Sequence, residues 1–276
     1  MKYIYWLDFL YKYMYMNKSK KIVVFDLDET LGYFTEFGIF CDCLDKYFKN
    51  TSYSDTNFKE LLDLYPEFLR PKIIEVLAYL KEKKKNKKCY KVMIYTNNNG
   101  PKLWAKNISE YFDKKINYKL FDQIIAAFKV RGERIELGRT SHDKSIEDLF
   151  RCTKLPDDVE ICFVDDVYHD GMSEKRVYYI NVKPYHHKLT INNLMFRFLD
   201  SSLGRVVKNK SEFINILDDE FKKYQYNTQV KSNDEQEIDT IVGKKMLQHL
   251  KQFFYENNNK TLSRKRKNKN KSLKKK

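Results

Sequence analysis

Apolar residues in this chain gather into short blocks separated by stretches of helical spacing. The blocks at residues 22–25, 90–95, 121–128, 159–164 and 177–182 are rich in Val, Ile, Tyr and Phe. Runs of this kind predict five buried strands. Between them the period changes. Ile73, Ile74, Leu77, Ala78 and Leu80 keep a helical spacing after Arg70-Pro71, and Pro suits the first turn of a helix. Helices are also predicted over 58–65, ending before Pro66, over 102–112, and over 143–152, where Ile146, Leu149 and Phe150 share a face. From 190 to 226 the pattern stays helical, with Leu194, Phe198, Phe213, Ile214 and Leu217 for burial. Residues 231–239 are polar and read as a linker, and 241–254 as one more helix. The aromatic-rich stretch 31–48, broken by Gly32 and Gly38, reads as a flap or small hairpins. Residues 129–138 read as a charged hairpin.

Strands alternating with helices predict an α/β domain with a doubly wound, mainly parallel sheet. The expected organisation is an N-terminal extension (1–20), that domain (21–226), a linker with a C-terminal helix (227–259) and a basic disordered tail (260–276). In open α/β sheets, ligands bind beyond the carboxyl ends of the strands. Polar residues sit at three such ends: Asp26 and Asp28 after the first strand, Thr96 after the second, and Asp165 and Asp166 after the fourth. Asp26 and Asp28 are two apart, so on a continuing strand they would share a face. Two carboxylates leaving a core together are costly unless a cation or a substrate uses them. A polar turn would explain Asp-x-Asp alone; the apolar run, both Asp and Thr30 together argue against that.

Composition changes the picture in a few places. With 276 residues, 42% of them apolar, the chain can bury a domain-sized core. The net charge is +15, but residues 264–276 hold nine Lys or Arg and no acid. The basic balance is therefore mainly a property of the tail. Residues 264–267 resemble a nuclear-localisation signal, and a solubilising tail or a site for acidic partners fits equally. The Lys-rich end of the helix, 81–88, reads as solvated rather than phosphate-binding. The five Cys form no Cys-x-x-Cys pair, and Cys41-Asp42-Cys43 lacks a matching second pair, so zinc is not expected. That usage fits a reducing, intracellular compartment, nucleus or cytoplasm. No apolar run is long enough for a transmembrane helix. The stretch 3–16 has three readings: a helix packed on the domain, a membrane-surface helix, or an extraneous extension before Met16.

Asp26-Leu27-Asp28-Glu29-Thr30-Leu31 resembles the first motif of the haloacid dehalogenase superfamily, in the form found in small C-terminal-domain phosphatases and NLI-interacting-factor-like proteins. Thr96 after Val92-Met93-Ile94-Tyr95 resembles the second motif, Lys144 the third, and Phe163-Val164-Asp165-Asp166 the fourth. Arg70-Pro71 also suits that branch. The resemblance covers about residues 21–199 and implies a Rossmann-like fold and a phosphatase with an aspartyl-phosphate intermediate. In that chemistry Asp26 is the nucleophile and Asp28 the proton donor and acceptor. Two carboxylates and a phosphate dianion need a hard cation, for which Mg²⁺ is the natural choice. Its implied ligands are a carboxylate oxygen of Asp26, the backbone carbonyl of Asp28 and the carboxylate of Asp165. Asp166 is either a water-mediated metal partner or a holder of Lys144. Thr96 and the Asn97 N–H, at a helix start, would bind phosphoryl oxygens, and Lys144 would neutralise charge and steady Asp26. Thr30 either orients the phosphate or caps the turn after the strand. Lys129 is the rival for the role of Lys144, Asp170 fits a solvated turn, and His186-His187 reads as structural or exposed.

The stretch after the first motif is too short for a large cap domain, and by resemblance such an open site takes phosphoserine or phosphothreonine in a protein. Two other functions stay in view. One is a phosphatase of nucleic-acid ends or nucleotides, aided by phosphate contacts from residues 264–276. The other is a catalytically silent interaction module on the same fold.

Overall fold

In the computed structural model, residues 19–100, 103–224 and 231–272 are described. The expectations for residues 1–16, and for the side chains of the basic tail, lie outside them. Five strands fall within the apolar blocks: β1 (Lys21–Phe25), β2 (Lys91–Tyr95), β3 (Gln123–Ile125), β6 (Glu160–Asp165) and β7 (Val177–Asn181). They form one sheet in the order β3-β2-β1-β6-β7, and every pairing is parallel. The remaining strands, β4 (Lys129–Val130) and β5 (Glu133–Arg134), make the charged hairpin. The chain winds from β1 to β2 and β3 on one side, then returns to place β6 and β7 on the other. The order therefore reverses beside β1, which opens a crevice at the carboxyl ends of β1 and β6.

Helices cover the sheet: α1 (Thr35–Phe48), the short α2 (Tyr53–Thr56), α3 (Phe58–Asp63), α4 (Ile73–Lys85), α5 (Trp104–Ile116), α6 (Ile146–Thr153), α7 (Ile191–Asp200), α8 (Lys210–Lys223) and α9 (Asn233–Ser272). β1 is buried on both faces. Val23 and Phe25 point into the larger core, while Ile22 and Val24 join a smaller one with Met93, Leu149 and Phe163. Burying each such side chain contributes about 1.5–3 kcal/mol, so the strand is fixed by its surroundings rather than by propensity.

Two expectations are corrected. The stretch after β1 is not a flap or hairpins: it is α1, and Phe37, Phe40, Cys41 and Leu44 bury one helical face. Gly38 does not break this helix, because it lies where α1 meets Trp104 of α5. Gly32 serves the turn before it, where a side chain would strike the Phe68 carbonyl. Residues 233–239 are likewise not a linker but the opening turns of α9. Ser232 and Glu235 cap that start reciprocally: Glu235 N–H donates to Ser232 Oγ (3.2 Å) and Ser232 N–H to Glu235 Oε2 (2.8 Å). α9 continues as helix to Ser272, through the part of the tail expected to lack structure. It docks by Met246, Leu250, Phe253 and Phe254, and the Tyr178 hydroxyl on edge strand β7 meets His249 at 2.9 Å.

Candidate active site

Parallel register places the site. Phe25 pairs with Val164, and Asp26 N–H continues the ladder to the Val164 carbonyl (2.9 Å), so Asp26 and Asp165 leave the sheet side by side. Lys144 precedes α6, whose N-cap Ser145 accepts from Asp148 N–H at 3.1 Å. That cap aims Lys144 back over the sheet. Its Nζ donates to Asp165 Oδ2 (2.7 Å) and to Asp26 Oδ1, and the side chain is only 2% exposed. Asp26, Asp165 and Asp166 bring one carboxylate oxygen each within 4.8 Å of the others. All three donors are hard oxygens, a set that suits hard divalent cations such as Mg²⁺, Ca²⁺ or Mn²⁺.

Electrostatics separates these groups. Burial raises the Asp26 carboxyl above its usual range, against the pull of Lys144. Burial likewise pushes Asp165 up to about 7, with Lys144 opposing and Asp26 adding to the rise. Asp28 is also pushed to about 7 by burial, moderated by a hydrogen bond from Asn98 and raised further by Asp26. The cluster thus holds more acid than its one lysine can balance, and desolvation makes that excess expensive.

Asp28 does not sit on a continuing strand. β1 ends at Phe25, and Glu29 takes a left-handed conformation (φ 58°) as the chain turns. The Asp28 side chain is not among the three clustered carboxylates; it accepts from Asn98 Nδ2 at 2.6 Å. Thr96 follows β2, bonding the Ile125 carbonyl through its N–H (3.0 Å). Asn97 is not at a helix start, since α5 begins only at Trp104. Instead, Asn98 Oδ1 accepts from Gly100 N–H (2.7 Å), and this local turn delays the helix. The Thr30 hydroxyl is fully buried and committed to Asp166, donating to Oδ1 (2.8 Å) and accepting from its N–H (3.1 Å). It ties the loops after β1 and β6 together rather than facing an open phosphate position. Lys129 lies exposed in the hairpin over the Phe128 ring, and Asp170 is exposed. His187 is buried and bonds Glu36 (3.0 Å), a structural pair.

Two buried arginines are not marked by the sequence pattern as site residues. Arg70 Nε donates to the Thr30 carbonyl (2.6 Å), and its Nη2 to the Lys183 (2.8 Å) and Glu29 carbonyls. It thereby holds the turn that carries Asp28. Arg139 Nη1 donates to the Thr96 (3.1 Å) and Ala126 (3.0 Å) carbonyls, with its guanidinium 4.8 Å above the Tyr95 ring. It holds the end of β2. Only Arg70 carries a sequence signal, its place before Pro71; Arg139 stands alone in a loop.

The chain matches the model of one protein family, described as NLI interacting factor-like phosphatase, over residues 21–211. It belongs to that family. No curated protein and no solved structure matches it. The matched span contains Asp26, Asp28, Thr96, Lys144 and Asp165, together with the whole five-stranded sheet. Helix α9 lies beyond it.

Proposed function

We propose that this family member is a Mg²⁺-dependent phosphatase that works through an aspartyl phosphate, with phosphoserine or phosphothreonine in proteins as substrate. The observation that carries the reading is the group of Asp26, Asp165 and Asp166, with buried Lys144 bonded to the first two. Asp26, Asp165 and Asp166 would hold Mg²⁺, which would supply charge neutralisation for these carboxylates and for the phosphoryl group. Lys144 fixes one oxygen of Asp26, and the Asp26 carboxylate attacks phosphorus as the ester P–O bond breaks. The leaving oxygen takes its proton from Asp28, which burial pushes up to about 7, so that part of it carries a proton near neutrality. Water then attacks phosphorus, gives a proton back to Asp28, and releases inorganic phosphate and free Asp26. Thr96, at the end of β2, would hold a phosphoryl oxygen.

The purified chain is expected to hydrolyse p-nitrophenyl phosphate and phosphopeptides, to stop when EDTA removes the metal, and to recover with Mg²⁺. Full activity in Asp26→Asn would falsify the mechanism. A phosphonucleotide arm of the same panel tests the nucleic-acid alternative: activity confined to that arm would replace the protein substrate.

A further inference from the structure

We propose that Asn98 is a positioning residue that sets the orientation of the Asp28 carboxyl group, an inference that rests on Asp28 being the proton donor. An amide side chain can point either way, and its partners decide which. Gly100 N–H is only a donor, and it meets Asn98 Oδ1 at 2.7 Å. That contact leaves Nδ2 facing Asp28, where it donates to Oδ2 at 2.6 Å. The Asn98 N–H in turn donates to Thr96 Oγ1 at 3.0 Å. Asn98 is therefore tied twice to its own loop and offers its amide to one partner outside it.

Asp28 needs such a guide. It lies past the end of β1, joined to Gly32 by an isolated bridge and just before the left-handed Glu29, outside the ladder of the sheet. A donor on Oδ2 assigns the transferable proton to Oδ1, the oxygen left for the leaving group. The same residue touches Thr96, so the proton donor and the proposed phosphoryl anchor are set by one side chain and its backbone. An ordinary turn-forming asparagine would satisfy Gly100 without reaching across to the β1 loop.

The test uses leaving-group dependence. Phenyl phosphate needs a proton at its leaving oxygen, whereas 2,4-dinitrophenyl phosphate does not. Full-length Asn98→Ala, and Asn98→Asp as a variant that keeps an acceptor for Gly100, are compared with Asp28→Asn on both esters. Folding is checked by circular dichroism. Asn98→Ala is expected to lower kcat on phenyl phosphate by about 10-fold or more, and on the dinitrophenyl ester by less than about 3-fold. Equal losses on both esters, or none, in the folded variants would overturn the proposal while Asp28→Asn still discriminates between them. If Asp28→Asn shows no discrimination, the proton-donor reading fails and takes the proposal with it.

Discussion

Two charge clusters of the fold are built to opposite rules. At the carboxyl ends of β1 and β6, three carboxylates cluster and Lys144 pairs with two of them, Asp26 and Asp165. At the start of α9, the order is reversed: Asp239 is 2% exposed and faces two cations. Lys231 Nζ bonds Asp239 Oδ2 and the His186 carbonyl, and Arg70 feels Asp239 as its main opposing charge. Burial pushes the Arg70 guanidinium down to about 10, and Asp239 pulls it back. The second cluster takes its positive charge from the chain itself, although Asp239 Oδ1 and Arg70 Nη1 are buried without a hydrogen-bond partner among the described residues. The first is short of positive charge. A fold keeps such an imbalance where a function supplies the missing cation, which separates a working site from a structural ion pair.

Neutralising single residues should expose the contrast. The largest expected effect is on catalysis: Asp26→Asn should lower phosphate release by about 10⁴-fold or more, without loss of stability in urea unfolding. Neutralising the other cluster should do the reverse. Asp239→Asn leaves Lys231 and Arg70 without their carboxylate, so it should cost about 3 kcal/mol in urea unfolding, with less than a tenfold change in kcat per folded molecule. A variant that loses activity but no stability would place Asp239 with the catalytic cluster instead. Third, Mg²⁺ at a hundredfold excess over its Kd should raise stability by about 2.7 kcal/mol in thermal unfolding. That gain should vanish in Asp165→Asn and persist in Asp239→Asn.

The smallest effect is on pH dependence. Asp28 and Asp165 have folded values near 7, above the ordinary unfolded carboxylate value of about 4. Between those limits the folded state binds more protons, so metal-free protein should gain stability as pH falls from 8 to 5. Mg²⁺ favours the ionised carboxylates and should flatten that slope. Melting temperatures that fall steadily over the same range without metal would contradict the buried-acid description.

Much of the fold is legible in the sequence, because strands such as Lys21–Phe25 are buried on both faces and read as continuous apolar runs. The strand-end acids are legible for the same reason: an abrupt change from apolar to charged marks where a strand leaves the core. Lys144 is legible only through its resemblance to the third motif, with Lys129 as its rival, and its capped helix explains why it reaches the acids while Lys129 does not. What stays hidden is of two kinds. α1 carries a helical spacing at Phe37, Phe40, Cys41 and Leu44, but two glycines dominate its local pattern. α9 announces its start only through Ser232 and Glu235, a capping signal inside a polar stretch. Arg70, Asn98 and Arg139 act as single side chains on backbone carbonyls or on one distant carboxylate. Such contacts leave no period to read.

Helix α9 extends the hydrophobic core beyond the stretch the chain shares with its family. A fragment ended at residue 211 would strip Met246, Leu250, Phe253 and Phe254 from the core and leave bare the surface they cover. It would also remove the counter-charge of Arg70, whose grip on the Glu29 and Thr30 carbonyls shapes the catalytic turn. The family match and the packed core therefore have different boundaries: the proposed reacting groups lie before residue 211, but the core around them reaches to Phe254.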